Sequence, residues 1–528
     1  MLDIFDDVGK LGIIKDVDPK KLPASAWSGG QNVRFNGFTA ERFSGMSNIF
    51  DPPSVDPYNL FFVTSPDSTQ HFVYTGLAKV FMMDTDAHVE ITRGSSTASV
   101  SDYAATAAAN WNGGVLHGIL ILNNGVDVPQ SQVPAEPTTR LTDLANWPAA
   151  VRAAVVRPFK NYLVALDITK TTTRYRQLVK WSAQADPGAV PPSWDETDPA
   201  LDAGELPLSE TNGAVVDCLP LRDVNVIYKE DSVWAMQLVG TADVFRFYQL
   251  FKDVGLLARR CVTAFDSYHV FIGSDLDVYV HDGQELRSIA NDRWKEYIAE
   301  NIDTTNFARS FVVRNPPENE IWICICETGQ SFPNRALVWN WRKDTWGERD
   351  LPAVAGGATG VAVTTAGLDT WASVTETWTE IMLSWSESGA SPPNEQLLLA
   401  SPTNGLIQAD NGSAQFGEGL PAFLERQGIW QFAVPQFGKA DLQSVKFVRR
   451  VRFRLDSPEA GSVMVKVAVH MDLADPLVWT SATASQDGTT EISIFRRGRF
   501  VSVRIESTGV VIWELHSIEI DADPGGKY

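Results

Sequence analysis

A repeat of short strands, spaced by about 40 to 50 residues, is the feature that most restricts the fold of this chain. Core strands recur at Ile119 and Tyr162, 43 positions apart, and at Val226 and His269, again 43 apart; the next, at Ile321, follows after 52. The segments alternate apolar with polar residues and end in turn residues. Such a period is typical of propeller blades, which bury their faces on one another around an axis. The sequence therefore predicts an all-β fold whose main body is an irregular β-propeller of five to seven blades.

Tryptophan is abundant, with 17 residues in a chain of 528. Large, rigid aromatic side chains fill the space between blades at little entropic cost, so core packing is the interpretation we prefer over a sugar-binding platform. The predicted fillers between blades include Trp181, Trp234, Trp322 and Trp341.

Turn-rich stretches divide the chain. We predict a propeller over residues 46–404, interrupted by loop insertions at 128–139 and 186–209, both rich in proline and acidic residues. Residues 353–400 are predicted as β structure that forms the last blade. A stretch rich in Gly, Asn and Ser at 405–419 is predicted to be the junction to a second domain.

The pattern changes after the junction. Long alternating strands predict a separate antiparallel β-sandwich-like domain over 420–528. Within it, residues 439–504 hold eleven Lys and Arg against seven Asp and Glu, in a chain whose net charge is −21. One strand is predicted to place three arginines on one face, and three more cluster in a turn. Either this is an ordinary solvated strand face, or it is a basic interface that docks an acidic neighbour such as the next subunit. The candidate interface residues are Arg450, Arg452, Arg454, Arg496, Arg497 and Arg499.

The first 45 residues are predicted to be a β lead-in, or N-terminal arm. Asn36-Gly37 is a strong hairpin signal, and strands are expected on both sides of it, at 32–35 and 39–43. Residues 1–10 are acidic and lack the apolar core of a secretion signal, and no apolar run reaches the roughly 18 residues that span a bilayer. We therefore expect a product made in the cytoplasm, without a membrane span.

The stretch LPASAWSGGQNVRFNGFTAERFSG resembles the N-terminal signature of the tail nozzle proteins of short-tailed bacteriophages, some of which are called DNA stabilisation or tail tubular proteins. Residues 498–507, Trp513 and residues 523–526 are similar to the closing strands and tail of that family, and 338–341 and 121–130 match segments of its blades. The signature positions are Leu22, Pro23, Ala26, Trp27, Asn32, Val33, Arg34, Phe35, Glu41 and Gly45.

The resemblance implies a structural protein of the virion tail that is assembled in the host cytoplasm. It implies a ring of identical subunits, expected to be six, attached below the tail adaptor, with a tail fibre, spike or needle as further neighbours. Double-stranded DNA would be held in the ring and released through it. An acidic chain suits this passage, because carboxylates that line a pore repel phosphates and prevent adhesion.

The motifs of several enzyme classes are missing from the sequence. It contains no H-E-x-x-H, G-x-S-x-G or phosphate-binding G-x-x-x-x-G-K-[ST] motif, so we expect no catalytic residue and no cofactor. Asp275 and Asp277 could hold a cation beside a turn, although blade turns are commonly acidic. Cys324 and Cys326 alternate on a predicted strand, and buried reduced thiols are the expectation for them.

Two other functions fit the same sequence. A carbohydrate-active propeller enzyme, such as a depolymerase, would need two carboxylates roughly 5 to 10 Å apart across a cleft, and carboxylates are plentiful here. A module that binds a host receptor would use the insertion at 186–209 to contact the cell.

Overall fold

A computed structural model describes residues 1–94, 102–108, 110–198, 200–240, 243–362, 395–433, 444–457, 462–486 and 488–527. In these ranges the chain is almost entirely β structure, with a single α-helix, α1 (Lys295–Asn301), and 3-10 turns at Pro19–Lys21 and Phe307–Arg309. The lead-in supplies six short strands, and a seventh follows directly after it. They are β1 (Leu2–Phe5), β2 (Gly12–Ile13), β3 (Ala26–Trp27), β4 (Gly29–Gln31), β5 (Val33–Phe35), β6 (Ala40–Arg42) and β7 (Met46–Asn48).

The described residues form seven antiparallel blades of four strands. Blades 1 to 3 comprise β8 (Asn59–Thr64), β9 (Gln70–Thr75), β10 (Val80–Asp84) and β11 (Ala87–Glu90); β12 (Asn112–Leu116), β13 (Ile119–Asn123), β14 (Gln130–Gln132) and β15 (Thr142–Asp143); β16 (Val151–Phe159), β17 (Tyr162–Lys170), β18 (Thr173–Trp181) and β19 (Gly204–Pro207). Blades 4 and 5 comprise β20 (Val215–Leu221), β21 (Val224–Lys229), β22 (Ser232–Leu238) and β23 (Phe245–Lys252); β24 (Val262–Phe265), β25 (Tyr268–Ile272), β26 (Val278–His281) and β27 (Leu286–Ser288). Blades 6 and 7 comprise β28 (Phe311–Asn315), β29 (Glu320–Ile325), β30 (Arg335–Asn340) and β31 (Thr345–Asp350); β32 (Gly356–Gly360), β33 (Gln396–Ser401), β34 (Gly405–Ala409) and β7, the strand directly after the lead-in.

The blades close into a ring. The first strand of each blade contacts the first strand of the next, and β32 of blade 7 contacts β8 of blade 1. Closure is completed by β7, which pairs with β34 as the outermost strand of blade 7, so that Met46 lies opposite Ala409. The predicted propeller is confirmed, and seven lies within the predicted range of blade number. The five residues that define the sequence repeat all lie in second strands, those of blades 2 to 6.

Blade 7 corrects the predicted boundary between the propeller and the junction. The predicted junction at 405–419 begins inside this blade, because β34 forms a complete ladder with β33 and with β7. The glycine and asparagine near residue 405 mark the hairpin between β33 and β34, where Gly405 has a φ of +80°. The β structure predicted for 353–400 is present as β32 and β33, and residues 363–394 lie outside the described residues.

The two predicted insertions also carry blade strands. β14 lies within 128–139 and β19 within 186–209, each as a regular member of its blade. The second insertion is packed as well: Trp194 is 1% exposed, and its ring lies 4.6 Å from that of Trp147. Their proline and acidic residues predict loops outside the blade core. Their short strands form because the neighbouring strands of the blade supply the pairing, for which their own sequence gives little signal.

Apolar layers fill the space between neighbouring blades. Trp181 and Trp234 belong to the layer between blades 3 and 4, and Trp322 to the layer between blades 6 and 7. Trp341 is partly buried against the core beside Phe265. The predicted role of these tryptophans in packing is therefore confirmed.

A chain of hydrogen bonds crosses the boundary between blades 4 and 5. The hydroxyl of Tyr228 lies 2.8 Å from Nδ1 of His269 and 2.7 Å from Nε2 of His281, and all three side chains are buried. Nε2 of His269 lies 3.0 Å from the carbonyl of Pro220, and the amide of Gly283 donates to Nδ1 of His281 at 3.2 Å. His281 donates to Tyr228, Tyr228 donates to His269, and His269 donates to the carbonyl of Pro220. This order of donors and acceptors requires both imidazoles to be neutral. Burial lowers the pKa of His269 to about 4 and that of His281 to about 3.

The C-terminal residues form two sheets that pack face to face, as the predicted sandwich requires. One sheet is a five-stranded unit that ends in β4 from the lead-in, and the other belongs to a twelve-stranded sheet. The strands are β35 (Ala422–Ile429), β36 (Ser444–Asp456), β37 (Val463–His470), β38 (Thr483–Ala484), β39 (Gly488–Gly498), β40 (Phe500–Ser507) and β41 (Glu514–Lys527).

The lead-in joins the sandwich to the propeller. In the twelve-stranded sheet the order runs from blade 6 through β31, β5, β6, β41 and β36 to β39. β5 and β6 form the predicted hairpin at Asn36-Gly37, with Phe35 opposite Ala40. The side chain of Asn36 accepts from the amide of Thr39 at 2.9 Å, and Gly37 has a φ of +93°. Residues 1–45 are thus part of both domains, and β1 pairs with β41 as well.

A buried ionic cluster lies where the lead-in meets blades 6 and 7. Nη2 of Arg34 lies 3.0 Å from Glu320 and 2.7 Å from Asp410, and Arg349 lies 3.2 Å from the other oxygen of Asp410. Both guanidinium groups stack on the ring of Phe43, at 4.3 and 4.8 Å. Burial raises the pKa of Glu320 to about 7. Burial would also raise the pKa of Asp410, but the two arginines outweigh it and lower that pKa.

Candidate functional site

The predicted arginine face on the sandwich is present on β36. Arg450, Arg452 and Arg454 project outward from this strand and alternate with Val451 and Phe453, which are buried. This alternation is the one that the sequence predicts. The interface role of these arginines stays a prediction.

Their charges, however, are paired within the chain. Arg450 lies 3.1 Å from Asp521, Arg452 lies 2.7 Å from Glu491, and Arg454 lies 2.8 Å from Glu519. The three carboxylates come from β41 and β39, the strands on either side of β36. The hydrogen bond from Arg452 is the main reason that the pKa of Glu491 is lowered. A partner that docked here would have to displace existing ion pairs, which weakens the case for this row as the contact surface.

The other arginines lie near the end of β39. Arg496 and Arg497 are the last side chains of this strand rather than members of a turn, and Arg499 follows at the turn into β40. Phe495, just before them, has a φ of +51° beside an irregularity in the pairing with β36, and its side chain is 66% exposed. The bulge turns this phenylalanine outward and shifts the residues that follow it.

Arg496 and Arg497 differ from the β36 row because they form no ion pair with any residue in the described ranges. Both are exposed, whereas Arg499 is half-buried and its Nε has no hydrogen-bond partner. β39 ends its sheet, with β36 as its neighbour on one side. An exposed aromatic ring beside two unpaired cations on a sheet edge is a surface suited to protein contacts. We call Phe495, Arg496 and Arg497 the edge patch.

Polar side chains meet at the centre of the propeller. Arg157 of blade 3 forms a two-pronged ion pair with Asp217 of blade 4, at 3.0 and 2.9 Å, and donates to the carbonyl of Gly113 in blade 2. Arg260, which precedes blade 5, donates to the carbonyl of Ala355 at the start of blade 7, at 2.8 Å. Its Nη1 also lies 3.4 Å from the amide oxygen of Asn59 in blade 1.

The bonds of Arg260 reach across the ring from blade 5 to blades 7 and 1, whereas those of Arg157 join neighbouring blades. Burial would raise the pKa of Asp217, but Arg157 outweighs it and holds that pKa below its ordinary value. The side chains at the axis are thus a charged, hydrogen-bonded plug. A DNA double helix, whose major groove alone is about 12 Å wide, does not fit through such a centre.

The other residues that the sequence singled out have structural partners. The cation between Asp275 and Asp277 is Lys295, whose Nζ lies 2.8 and 3.4 Å from them. Cys324 and Cys326 are free and buried, as predicted, and burial raises the pKa of Cys326 to about 11. In the part of the chain that the structure describes, no three His, Cys, Asp or Glu side chains are grouped as metal ligands would be. No helix there is long and apolar enough to cross a bilayer.

Comparison with known proteins adds similarity of fold alone. No protein-family model matches the chain, and no curated protein matches it. Solved structures similar to it include the WD40 β-propeller domain of Doa1, at 10% identity over 71% of this chain and 97% of that one, with a TM-score of 0.36. Others are YCF48 bound to D1 peptide, at 9% identity over 70% and 99% with a TM-score of 0.36, and an exo-β-1,3-galactanase from Phanerochaete chrysosporium, at 7% identity over 91% and 100% with a TM-score of 0.28. At such low scores these likenesses say nothing about function, and the β-propeller rests on the strand pairing above.

Proposed function

We propose that this chain is a structural subunit of a viral tail nozzle, a ring that attaches below the tail adaptor and through which the packaged genome is retained and released. The observation that carries the proposal is the nozzle-like signature at 22–45. Its residues are not a loose arm: β5 pairs with β31 of the propeller, and β6 pairs with β41 of the sandwich. A segment that fixes two domains relative to each other suits a component whose function depends on shape.

Individual signature residues support this reading. Trp27 is buried, and its indole donates to the carbonyl of Val8 at 2.7 Å. The side chain of Asn32 accepts from the amide of Asp350 at 2.8 Å and donates to the carbonyl of Pro421 at 2.7 Å. A Cβ at Gly45 would collide with the backbone carbonyl of Ala414, so only glycine fits there. Each of these residues stabilises the fold, and none of them presents a reactive group at the surface.

The DNA channel in this proposal lies between subunits. Arg260 bridges the propeller axis, and Arg157 and Asp217 pair beside it, so we assign no wide pore to the single chain. Closed rotational symmetry would form the tube from several copies, and each interface would use the same two surfaces of every subunit. With a net charge of −21, the walls of such a tube would repel the phosphate backbone and let DNA slide.

The edge patch is the surface we assign to contact with an adjacent subunit or the adaptor. Its two cations form no ion pair with a described residue, and the net charge of −21 makes an acidic partner surface on another copy of the chain complementary to them. Docking would bury Phe495, which supplies apolar area that an ion pair at an interface lacks. The arginines of β36 would then support the patch from the neighbouring strand.

The proposal is tested by electron microscopy of the purified protein mixed with tail-adaptor complex, with native mass measured in parallel. The expected result is a closed ring of several copies with an open axis. A monomer that never associates with the adaptor would contradict the nozzle. In that case, release of reducing sugar from host polysaccharide, or loss of adsorption after deletion of residues 186–203, would identify an enzyme or a receptor-binding module.

Reversing the charge of the edge patch should prevent assembly without unfolding the protein. We expect the double variant Arg496→Glu/Arg497→Glu to lose ring formation or adaptor binding by at least tenfold, because two attractive charges become repulsive in an acidic setting. The matched control is Arg246→Glu/Lys252→Glu, which makes the same charge change at exposed positions of blade 4. Equal assembly of the two double variants, measured by analytical ultracentrifugation, would remove the edge patch from the interface.

A further inference from the structure

Cationic side chains converge on the face of the propeller that carries the linkers between blades. There they surround a cavity of about 220 Å³ beside the axis, bounded by residues of blades 2 to 5 and by the linker that precedes blade 6. The charged residues that line this cavity are Arg174, Arg176, Arg259, Arg260, Asp167 and Glu230. Positive charge is thus in excess at this place, although the chain as a whole is strongly acidic. We call it the linker-face pocket.

Two of the arginines are neutralised at the rim. Arg174 forms a two-pronged ion pair with Asp167, a residue held at a φ of +54° by an irregularity in the pairing of β17 with β18. Arg176 lies 2.8 Å from Glu230 of blade 4. These pairs account for both carboxylates of the pocket.

Arg259 and Arg260 lie at the base of the pocket, and both carboxylates that line the pocket are already bound to other arginines. The guanidinium of Arg260 donates to the carbonyl of Ala355 and lies near the amide of Asn59, both neutral partners. Arg259 is half-buried, and its side chain forms no hydrogen bond or ion pair with any described residue. Burial lowers the pKa of both groups, that of Arg260 to about 10. Asp217 acts on both of these cations but is already paired with Arg157. Two adjacent, partly desolvated cations that share one occupied carboxylate are a costly arrangement, which an anion would relieve.

The walls between these charges are apolar. Leu257 and Ala258 lie on one side, Ala107 and Ala108 on another, and Phe307 at the linker that precedes blade 6. A cavity of this size accommodates one or two side chains. Its shape and chemistry suit the methylene stem and carboxylate of an acidic residue better than an extended polymer backbone.

We propose that the linker-face pocket binds an acidic peptide segment, whose carboxylate forms a two-pronged ion pair with Arg259 while neighbouring apolar side chains contact Phe307 and Leu257. This site is separate from the edge patch, and it does not depend on the proposed nozzle function. It gives the propeller a second contact, on the linker face, for a partner protein with an exposed acidic tail or loop.

Nucleic acid is the less favoured occupant. Asp167 and Glu230 stand at the rim, where a phosphate backbone would have to pass, and the net charge of −21 opposes any polyanion at long range. A short acidic peptide carries fewer charges and contributes apolar contacts that do not depend on salt.

The test uses the full-length protein and a fluorescein-labelled octapeptide in which glutamate alternates with leucine, with fluorescence anisotropy as the measurement. We expect saturable binding that an otherwise identical glutamine–leucine peptide does not show. In Arg259→Gln the dissociation constant should rise at least tenfold. The matched control is Arg287→Gln, which removes one positive charge at an exposed position of blade 5 and should leave the dissociation constant within twofold.

Stability separates binding from a structural role. Arg259 has no hydrogen-bond or ion-pair partner among the described residues, so the melting temperature of the unliganded Arg259→Gln protein should equal or exceed that of the parent. No binding to the parent protein, equal affinity in the two variants, or a lower melting temperature of Arg259→Gln would each overturn the proposal. Tighter binding of a labelled 12-mer DNA single strand than of the peptide would overturn it in favour of nucleic acid.

Discussion

Replacing Arg34 with methionine is expected to lower the free energy of unfolding by about 3–5 kcal/mol, the loss typical when one partner of a buried ion pair is removed. Without Arg34, Glu320 keeps only the indole of Trp322 as a donor, at 3.1 Å, and Asp410 keeps Arg349 and Asn315. Methionine fills a similar volume, so the loss reports charge rather than a cavity. Equilibrium unfolding in urea measures it.

Two further variants make this measurement specific. Arg452→Met removes an arginine from a solvent-screened ion pair on the outer face of the sandwich, so its loss of stability should be much smaller than that of Arg34→Met. Adding Glu320→Gln to Arg34→Met should restore part of the stability, because the side chain left without its cation is then neutral. If Arg34→Met were no more destabilising than Arg452→Met, the buried cluster would not be the clamp between the lead-in and blades 6 and 7.

The chain of hydrogen bonds between blades 4 and 5 should make the propeller sensitive to acid. His269 and His281 have pKa values of about 4 and 3 in the folded state, against 6.5 when exposed. Their contribution to stability is therefore complete above pH 6.5 and is lost as the pH falls from there toward 4 and 3. At pH 4.5, two units below the unfolded value, each histidine should have lost about 2–3 kcal/mol.

Thermal unfolding followed at several pH values between 7.5 and 4.5 checks this expectation. The double variant His269→Gln/His281→Gln should be less stable at pH 7.5 and should depend less steeply on pH. The control is His117→Asn, which changes an exposed histidine at a position of positive φ that asparagine tolerates. An unchanged pH dependence in the double variant would show that carboxylates alone cause the acid sensitivity.

Local patterns in the sequence carried much of the fold. Patterns among neighbouring residues predict three features: the hairpin at Asn36-Gly37, the alternation along β36 and the second strand of five blades. Blade number was left open because outer strands such as Thr142–Asp143 are short and polar, and they exist only through their neighbours. β7, with the sequence Met-Ser-Asn, has no strand signal at all and is fixed by its partner β34.

The sequence predicted where the candidate-site residues lie, but not which residues they pair with. The sequence located Arg450, Arg452 and Arg454 on one face, but the carboxylates that neutralise them lie 39 to 71 positions away on paired strands. Conversely, the sequence around Arg259, between Ala258 and a second arginine, does not indicate a binding site. Only the fold shows that the acids around it are already bound to other arginines.

The closure of blade 7 by β7 sets an order for folding. During synthesis, residues 46–48 leave the ribosome before any blade, yet their partner β34 is made some 360 residues later, which at 5–20 residues per second is a delay of roughly 20 to 70 s. Until then the ring stays open, and strand edges at both ends are unpaired and available to other nascent chains. The emergence of β34, rather than the formation of any earlier blade, is therefore the step at which the ring can close and its strand edges become protected from aggregation and proteolysis.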